Sequence, residues 1–459
     1  MKVVFITPAS KVRRMRLYRI GNLIYGHSNS ITGPLILGHI LKDAGHDVSV
    51  YEELYADVDY SKLFDADVFC LYTMTSNAPR AYELADMLHQ KSHARVLIGG
   101  MHASVLPEEA LRHADQVIVG EGEAAILDVV EGRNTDRIVH ARFLKNLDEA
   151  PLPDYSLLKT RCDCANVMST RGCPFCCSFC TTSRMFHPYR ERSVDSVIAE
   201  LRYYKSLGFK YMNFEDDNFT ANKERAKEIC RRMIREGLVF RETFFFGRTD
   251  MANDDELLDL LQRAHLTRAL VGIESLNQKS LDEVNKHQKI SDIERCAAAL
   301  AKHKIRLIAS IVLGIDTDRQ EDIMRSVDFS KKINAYQLQP AVMTPFPGTA
   351  VYMQYKKENR MLTEDWSLFD MMNVTFLPKT MTPWELQKMF FRAVKRFYTF
   401  FSSFRIWKVF GANFGLRRIA FSFVVKIGVF GLKLIALFGK HTNLYRLKHL
   451  PARKLPESL

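Results

Sequence analysis

Three cysteines, Cys173, Cys177 and Cys180, stand as C-x-x-x-C-x-x-C inside residues 169–180, STRGCPFCCSFC. Thiols this close can fold one loop around an iron–sulfur cluster, because thiolate is the usual protein ligand of such iron. A four-iron cluster held by three thiolates keeps one iron open, and an open metal position is where chemistry happens. Zinc is a poorer reading, since its structural sites take four ligands, commonly as two paired halves. No second half follows, and the upstream Cys162 and Cys164 form a C-x-C pair that matches none. A disulfide framework does not suit nine cysteines in 459 residues that show no signal peptide. Cys176 breaks the spacing if it replaces Cys177 and is read as a bystander.

The elements that must position this loop fall into two or three domains, as the length requires. The composition is globular, with 47% hydrophobic and 26% charged residues and no low-complexity segment. Residues 3–7 read as a buried strand rather than part of a leader, and free thiols suit a reducing cytoplasm. The net charge of +12 is uneven. From Gln387 onward fifteen Lys and Arg face one acid, Glu457, giving +14, so the rest of the chain is near −2. An acidic partner belongs at the tail.

Residues 1–135 alternate short apolar runs with helical patterns, as in a doubly wound, Rossmann-like α/β domain. Strands are expected at 3–7, 47–51, 68–72, 95–98 and 116–119. Ligands of such sheets sit beyond the carboxyl ends of the strands. Those ends here carry Pro8 and Ala9; Thr73, Met74 and Thr75; Gly99 and Gly100; and Gly120, Glu121 and Gly122. The glycines would let backbone approach a bulky ligand. Residues 11–30, basic and long for such a loop, read as a lid or partner surface. Residues 136–165 read as a linker. Residues 166–380 then repeat strand and helix six times, a partial (β/α)6 barrel of the TIM type, whose functional groups come from the strand C-termini.

Glu215, Asp216 and Asp217 follow the second barrel strand. Three acids are costly to bury unless they meet cations or donors; a solvated turn capping the next helix is the alternative. Arg248 ends the third strand, where a guanidinium suits a carboxylate partner. Glu274 ends the fourth, placed to accept from hydroxyls. An internal salt bridge is the alternative for both. Lys286 reads as a solvated helix-end lysine.

The cysteine spacing, with Phe179 before the last thiol, is similar to the signature of the radical S-adenosylmethionine (SAM) superfamily. Gly99-Gly100-Met101-His102, Leu106-Pro107-Glu108-Glu109-Ala110-Leu111 and Val119-Gly120-Glu121-Gly122-Glu123 resemble the cobalamin-binding domain fused ahead of many of its members. The resemblance implies a [4Fe–4S] cluster whose open iron chelates SAM and cleaves it to a 5′-deoxyadenosyl radical. It implies cobalamin at the four strand ends named above. The D-x-H-x-x-G motif is absent, so no axial histidine is expected, and His102 sits in a different context. The acidic stretch Glu215, Asp216 and Asp217 replaces the usual Gly-Gly-Glu at the SAM site, with Asp216 or Asp217 implied for the SAM amino group and Arg248 and Glu274 for its carboxylate and ribose. Gly314-Ile315-Asp316-Thr317 lacks the usual Pro and second Gly, which leaves the adenine contact open. The implied reaction is methylation of an unactivated carbon of a hydrophobic substrate, with cobalamin as methyl carrier and a flavodoxin- or ferredoxin-type electron donor. Cyclisation or rearrangement of an isoprenoid, lipid or tetrapyrrole, and a non-catalytic Fe–S scaffold or sensor, are the alternatives.

Residues 381–459 form a basic amphipathic helical extension. Thr382-Pro383-Trp384-Glu385 is a capping box with Pro at the first helical position. Phe390, Phe391, Val394, Phe397, Tyr398 and Phe401 share one side. Residues 419–439 are apolar except for Ser422, Lys426 and Lys433, and Lys440 follows at the same spacing. An in-plane helix would bury Phe421, Phe423, Val424, Phe430 and Leu434 in an anionic membrane surface. A basic hairpin on the barrel or on nucleic acid is the alternative, but the run lacks the polar spacing of a nucleic-acid surface.

Overall fold

The computed structural model describes residues 1–11, 13, 27–439 and 442–450, apart from the Lys433 side chain. Most of the expected lid, together with Lys440, lies outside the described residues. The N-terminal sheet has six parallel strands: β1 (Lys2–Thr7), β2 (Asp47–Glu52), β3 (Val68–Tyr72), β4 (Arg95–Gly99), β5 (Gln116–Val119) and β6 (Ile138–His140). Their order is β2-β1-β3-β4-β5-β6, so the winding reverses between β1 and β3. Val4 and Ile6 pack on one face with α2 (Ala78–Lys91), and Val3 and Phe5 on the other with α1 (Thr32–Asp43). Alternation along one strand thus feeds two cores. The expected linker starts too early, because β6 pairs with β5 as the sheet's edge.

The second sheet is also parallel: β7 (Cys164–Val167), β10 (Tyr211–Phe214), β11 (Glu242–Gly247), β12 (Arg268–Glu274), β13 (Arg306–Leu313) and β14 (Gln337–Val342). Each strand pairs with the next in this series, as a partial barrel requires. Between β7 and β10 the short strands β8 (Thr170–Arg171) and β9 (Arg190–Glu191) form an antiparallel pair. Helices α3 (Val194–Ser206), α4 (Lys223–Arg235), α5 (Asp255–Arg263), α6 (Ile290–Lys302) and α7 (Gln320–Lys332) cover the outside with amphipathic faces.

Three sets of contacts dock the two sheets. Asn29 bridges β7 in parallel at Cys164, and Asn166 Nδ2 donates to the Ser30 carbonyl at 2.7 Å. Glu121 is buried between Arg190 at 2.5 Å and Arg171 at 3.1 Å. Glu109 accepts from the Trp366 indole at 2.9 Å, from the Tyr82 hydroxyl at 3.0 Å, and lies 3.2 Å from His102 Nε2.

The tail holds α8 (Pro383–Phe397), α9 (Phe400–Phe410), α10 (Ala412–Phe438) and α11 (Asn443–His449). The capping box is present: Glu385 N donates to Thr382 Oγ1 at 3.2 Å, and Thr382 N to Glu385 Oε2 at 2.8 Å. Phe390, Phe391 and Phe397 bury against the barrel, but Phe401 starts the next helix and is exposed. The faces of α10 differ from the expected ones. Phe421 turns inward and its ring stacks edge-on against Tyr398, because Arg418 and Ser422 on the same side are buried against the protein.

Removing one partner of a buried ion pair costs about 3–5 kcal/mol. Glu121→Ala should therefore destabilise the chain by about that amount in urea denaturation, since it leaves Arg190 with no carboxylate among the described residues and Arg171 with Glu123 alone. Wild-type stability in this variant would show that the two arginines find other partners.

Candidate functional site

The β8–β9 pair closes the base of the cysteine loop. Gly172 there has φ +82°, and a Cβ would fall 2.3 Å from the Phe186 carbonyl oxygen, so only glycine fits. Ser178 N donates to the Val284 carbonyl at 3.1 Å, Val351 N to the Ser178 carbonyl at 3.2 Å, and Cys180 N to the Cys177 carbonyl at 3.1 Å. Cys173, Cys177 and Cys180 are half-buried and within one another's electrostatic reach, whereas Cys176 is exposed. Burial pushes the Cys173 thiol up to about 11, with Asp217 and the other two thiols adding. Burial also raises Cys177, but Lys286 and Arg248 pull it back. Among the described residues no three such groups are closed in metal-ligating geometry. The donor set nonetheless fits an iron–sulfur cluster: three thiols come from one loop beside two cations that favour thiolate.

The cations belong to one buried constellation. Arg248 follows β11, lies 3.7 Å from the centre of the Phe175 ring, and donates to the Lys286 carbonyl at 2.6 Å. Glu274 ends β12 at φ +59°, a region that non-glycine residues rarely enter. It pairs with Lys286 Nζ at 2.6 Å, both side chains being buried. A Cβ at Gly272 would fall 2.4 Å from that Nζ, so the glycine makes room for the pair. Lys286 is therefore not a solvated helix end. Gln288, which carries no charge to mark it in the sequence, donates to the carbonyls of Gly272 and Ile273 at 3.1 Å each and pins the strand end.

The three acids after β10 part ways. Asp216 is fully buried and accepts from Ser169 Oγ at 2.6 Å and Thr170 N at 2.7 Å, tying the cysteine loop to β10. Asp217 reaches solvent beside Cys173, yet the surrounding protein pushes its carboxyl up to about 6 against a bond from Thr182. Glu215 turns toward the N-terminal sheet, 3.4 Å from Asn29 Nδ2. Burial pushes it up to about 7, and Glu52 and Asp216 add to this. Glu52, at the end of β2, is likewise pushed up to about 7 by burial, although Ile31 N and Ser30 Oγ donate to it at 2.9 and 2.8 Å. Sequence reasoning missed Glu52, whose partner lies in the other domain. Asn218 Nδ2 and Thr170 Oγ1 are buried with no partner among the described residues, which leaves donors for a bound polar molecule at this end of the barrel.

The N-terminal strand ends face the same space, with the switch between β1 and β3 as the ligand crevice of such sheets. Pro8 and Ala9 are buried; Asn77 Nδ2 donates to the Pro8 carbonyl at 2.8 Å, and Ala9 N to Glu53 Oε2 at 3.0 Å. Thr73 Oγ1 donates to the Gly99 carbonyl at 2.8 Å. Gly100 has φ +99°, and a Cβ there would fall 2.6 Å from the Thr73 carbonyl oxygen. A Cβ on Gly120 would meet the Phe143 ring at 3.0 Å, and one on Gly122 would meet Leu37 at the same distance. These glycines thus answer to protein neighbours, and Glu121 is held by its arginines. Met74 remains exposed and Thr75 partly so. An exposed thioether at the switch point fits the apolar face of a corrin. His102 is buried, tied to Glu109 and 3.3 Å from Thr75 Oγ1.

Cys173→Ala, Cys177→Ala and Cys180→Ala should each lose the cluster on anaerobic reconstitution, measured as bound iron, while Cys176→Ala keeps it. His102→Ala should leave the spectrum of any bound corrinoid unchanged. Glu52 and Glu215 hold protons to about pH 7 when folded, but only to about 4.3 when unfolded. The folded state then binds more protons, so stability should fall as pH rises from about 5 to about 8. The slope should be at most about 1.4 kcal/mol per pH unit per group. Glu215→Gln should flatten that fall, and an unchanged slope would show that Glu215 ionises normally.

Comparison with known proteins agrees with this layout. The radical SAM superfamily profile matches residues 167–329, and the B12 binding domain profile matches residues 32–130. An uncharacterized methyltransferase of Pyrococcus horikoshii is 27% identical over 434 residues, 87% of this chain and 92% of that one. Bacteriochlorophyllide d C-12(1)-methyltransferase of Chlorobaculum tepidum is 27% identical over 81% of this chain and 84% of its own. An anaerobic magnesium-protoporphyrin IX monomethyl ester cyclase of Synechocystis is 22% identical over 84% of this chain and 83% of its own. Among solved structures, the cobalamin-dependent S-adenosylmethionine radical enzyme OxsB with aqua-cobalamin bound shares the fold at TM-score 0.68 and 14% identity, over 98% of this chain and 76% of that one. The chain thus carries a radical SAM superfamily domain at residues 167–329 behind a B12 binding domain at residues 32–130.

Proposed function

We propose that the protein is a cobalamin-dependent radical SAM methyltransferase that methylates an unactivated carbon of a hydrophobic small molecule. The observation that carries this is the docking of two cofactor-type strand ends against each other. Glu121, just beyond β5 of one sheet, is held by Arg171 and Arg190 of the β8–β9 pair at the base of the cysteine loop, and Glu109 is held by Trp366. The relatives named as methyltransferases support the reading, and the cyclase keeps a carbon-skeleton rearrangement as the second one.

Cluster, SAM and cobalamin would supply the radical and methyl-carrier chemistry, with electrons from a small flavodoxin- or ferredoxin-type donor. The protein's part is to hold, orient and shield. Cys173, Cys177 and Cys180 would hold the cluster, with Arg248 and Lys286 stabilising their thiolate forms. Asp217 is the acid left for a SAM ammonium, since Asp216 is spent on Ser169 and Thr170. Arg248 would meet the SAM carboxylate and Glu274 the ribose, with Lys286 and Gln288 positioning them. Pro8, Ala9, Thr73, Met74, Thr75, Gly99, Gly100, Gly120 and Gly122 form the edge that would take cobalamin, without a histidine on cobalt. The free thiols suit a reducing cytoplasm, and the basic tail suits an enzyme peripheral to an anionic membrane.

Methylation predicts that product gains one CH₂ while S-adenosylhomocysteine and 5′-deoxyadenosine form together, read by mass spectrometry. A product that rearranges without gaining carbon would favour the second reading. Asp217→Asn should raise the KM for SAM by about tenfold, the scale of one charged hydrogen bond, and leave bound iron unchanged.

A further inference from the structure

Helices α9 and α10 form a hairpin with one side committed to the protein and the other left open. Arg418, Ser422, Val429 and Ala436 are buried and recur on one side of α10. The Arg418 guanidinium donates to the Ala335 carbonyl at 2.9 Å and to that of Tyr336, and lies 4.4 Å from the Phe397 ring centre. These contacts fix the start of α10 to the barrel wall just before β14. On the opposite side Phe423, Ile427, Phe430 and Leu434 recur every three or four residues, and the first three are more than 60% exposed (62%, 61% and 64%). Phe401 and Trp407 of α9 are exposed as well. A continuous apolar stripe of this length is an interaction surface, not ordinary scatter.

The charges say what covers it. Arg405, Lys408, Arg417 and Lys426 are exposed on the same two helices. Among the described residues none of the four has a carboxylate within ion-pair distance. Beside Phe401 a cavity of about 130 Å³ is lined by Lys331, Thr399, Ser402, Arg405 and Arg418, a cationic, hydroxyl-bearing recess of the kind that takes phosphate oxygens. A second copy would bring two faces of like charge together. A spanning helix would put Lys426 in hydrocarbon and strip Arg418 from its carbonyls. A nucleic acid would leave the stripe uncovered.

We propose that the α9–α10 hairpin lies on an anionic phospholipid bilayer. Phe423, Ile427 and Phe430 enter the acyl boundary, while Arg405, Lys408, Arg417 and Lys426 meet lipid phosphates. This rests on the reading of a hydrophobic substrate, which such a surface would deliver to the barrel.

The test is flotation of the full chain with phosphatidylcholine vesicles, with and without phosphatidylglycerol, alongside Trp407 emission. The expected result is binding and a blue shift with anionic vesicles, weaker by about tenfold in high salt or without phosphatidylglycerol. Alkaline carbonate should release the protein. Phe423→Asp with Phe430→Asp should abolish binding while thermal melting and bound iron stay unchanged, because both side chains face outward. Arg405→Glu with Lys408→Glu should weaken binding to anionic vesicles only. Equal binding to both vesicles, wild-type binding by the double Phe variant, resistance to carbonate, or no vesicle binding would each overturn the proposal. So would a dimer that the Phe changes dissolve. Vesicle binding without methylation of any substrate would instead strike the proposed function and leave this surface standing.

Discussion

Charge that is taken out of water must be matched, and that constraint shapes this molecule more than any other. A lone ion in the interior costs several kcal/mol even after relaxation. The chain meets the cost differently at each of its three junctions. Glu121 is matched by two arginines across the domain boundary. Glu274 is matched by Lys286, with Gly272 leaving the space for the pair and a left-handed backbone at Glu274 aiming the carboxylate. Glu52 and Glu215 have only neutral donors, so each keeps its proton to near neutrality.

This uneven matching gives the site its character. The cysteine loop lies beside the cationic Arg248, with Lys286, already paired with Glu274, adding to the field, and thiolates bound to iron would supply negative charge there. Asp217, the one acid of its trio left facing solvent, provides the opposite sign nearby. A zwitterion such as SAM, with ammonium and carboxylate on one short chain, is complementary to that arrangement. The N-terminal edge contributes something different. Its Asn77, Glu53 and Thr73 side chains bond within the edge itself, and an exposed methionine is left toward the crevice.

Much of this was legible in the sequence. Short apolar runs alternating with helical patterns marked both parallel sheets, because strands covered by helices on both faces read as continuous apolar runs. The three cysteines and the capping box at Thr382 could be read from spacing alone. What escaped was long-range. Nothing local shows that Glu215 faces Glu52, that residues 138–140 extend a sheet begun at residue 2, or that Lys286 turns back to a strand end twelve residues earlier. The glycines at the strand ends were visible, but not the neighbours they accommodate: Gly100 yields to Thr73 and Gly120 to Phe143. In the tail, period alone marked an amphipathic helix but not which face the barrel would claim. Arg418, a residue whose charge suggests exposure, decides that by burying itself.

The central claim is that the docked strand ends bring two cofactors to one substrate. Electron paramagnetic resonance of the full chain tests it most directly, with cob(II)alamin bound and the cluster reduced. The account predicts that the two spins interact, so the cobalt signal broadens when the cluster is reduced and recovers when it is oxidised. Two independent, unperturbed signals would place the centres too far apart to share a substrate and would contradict the account.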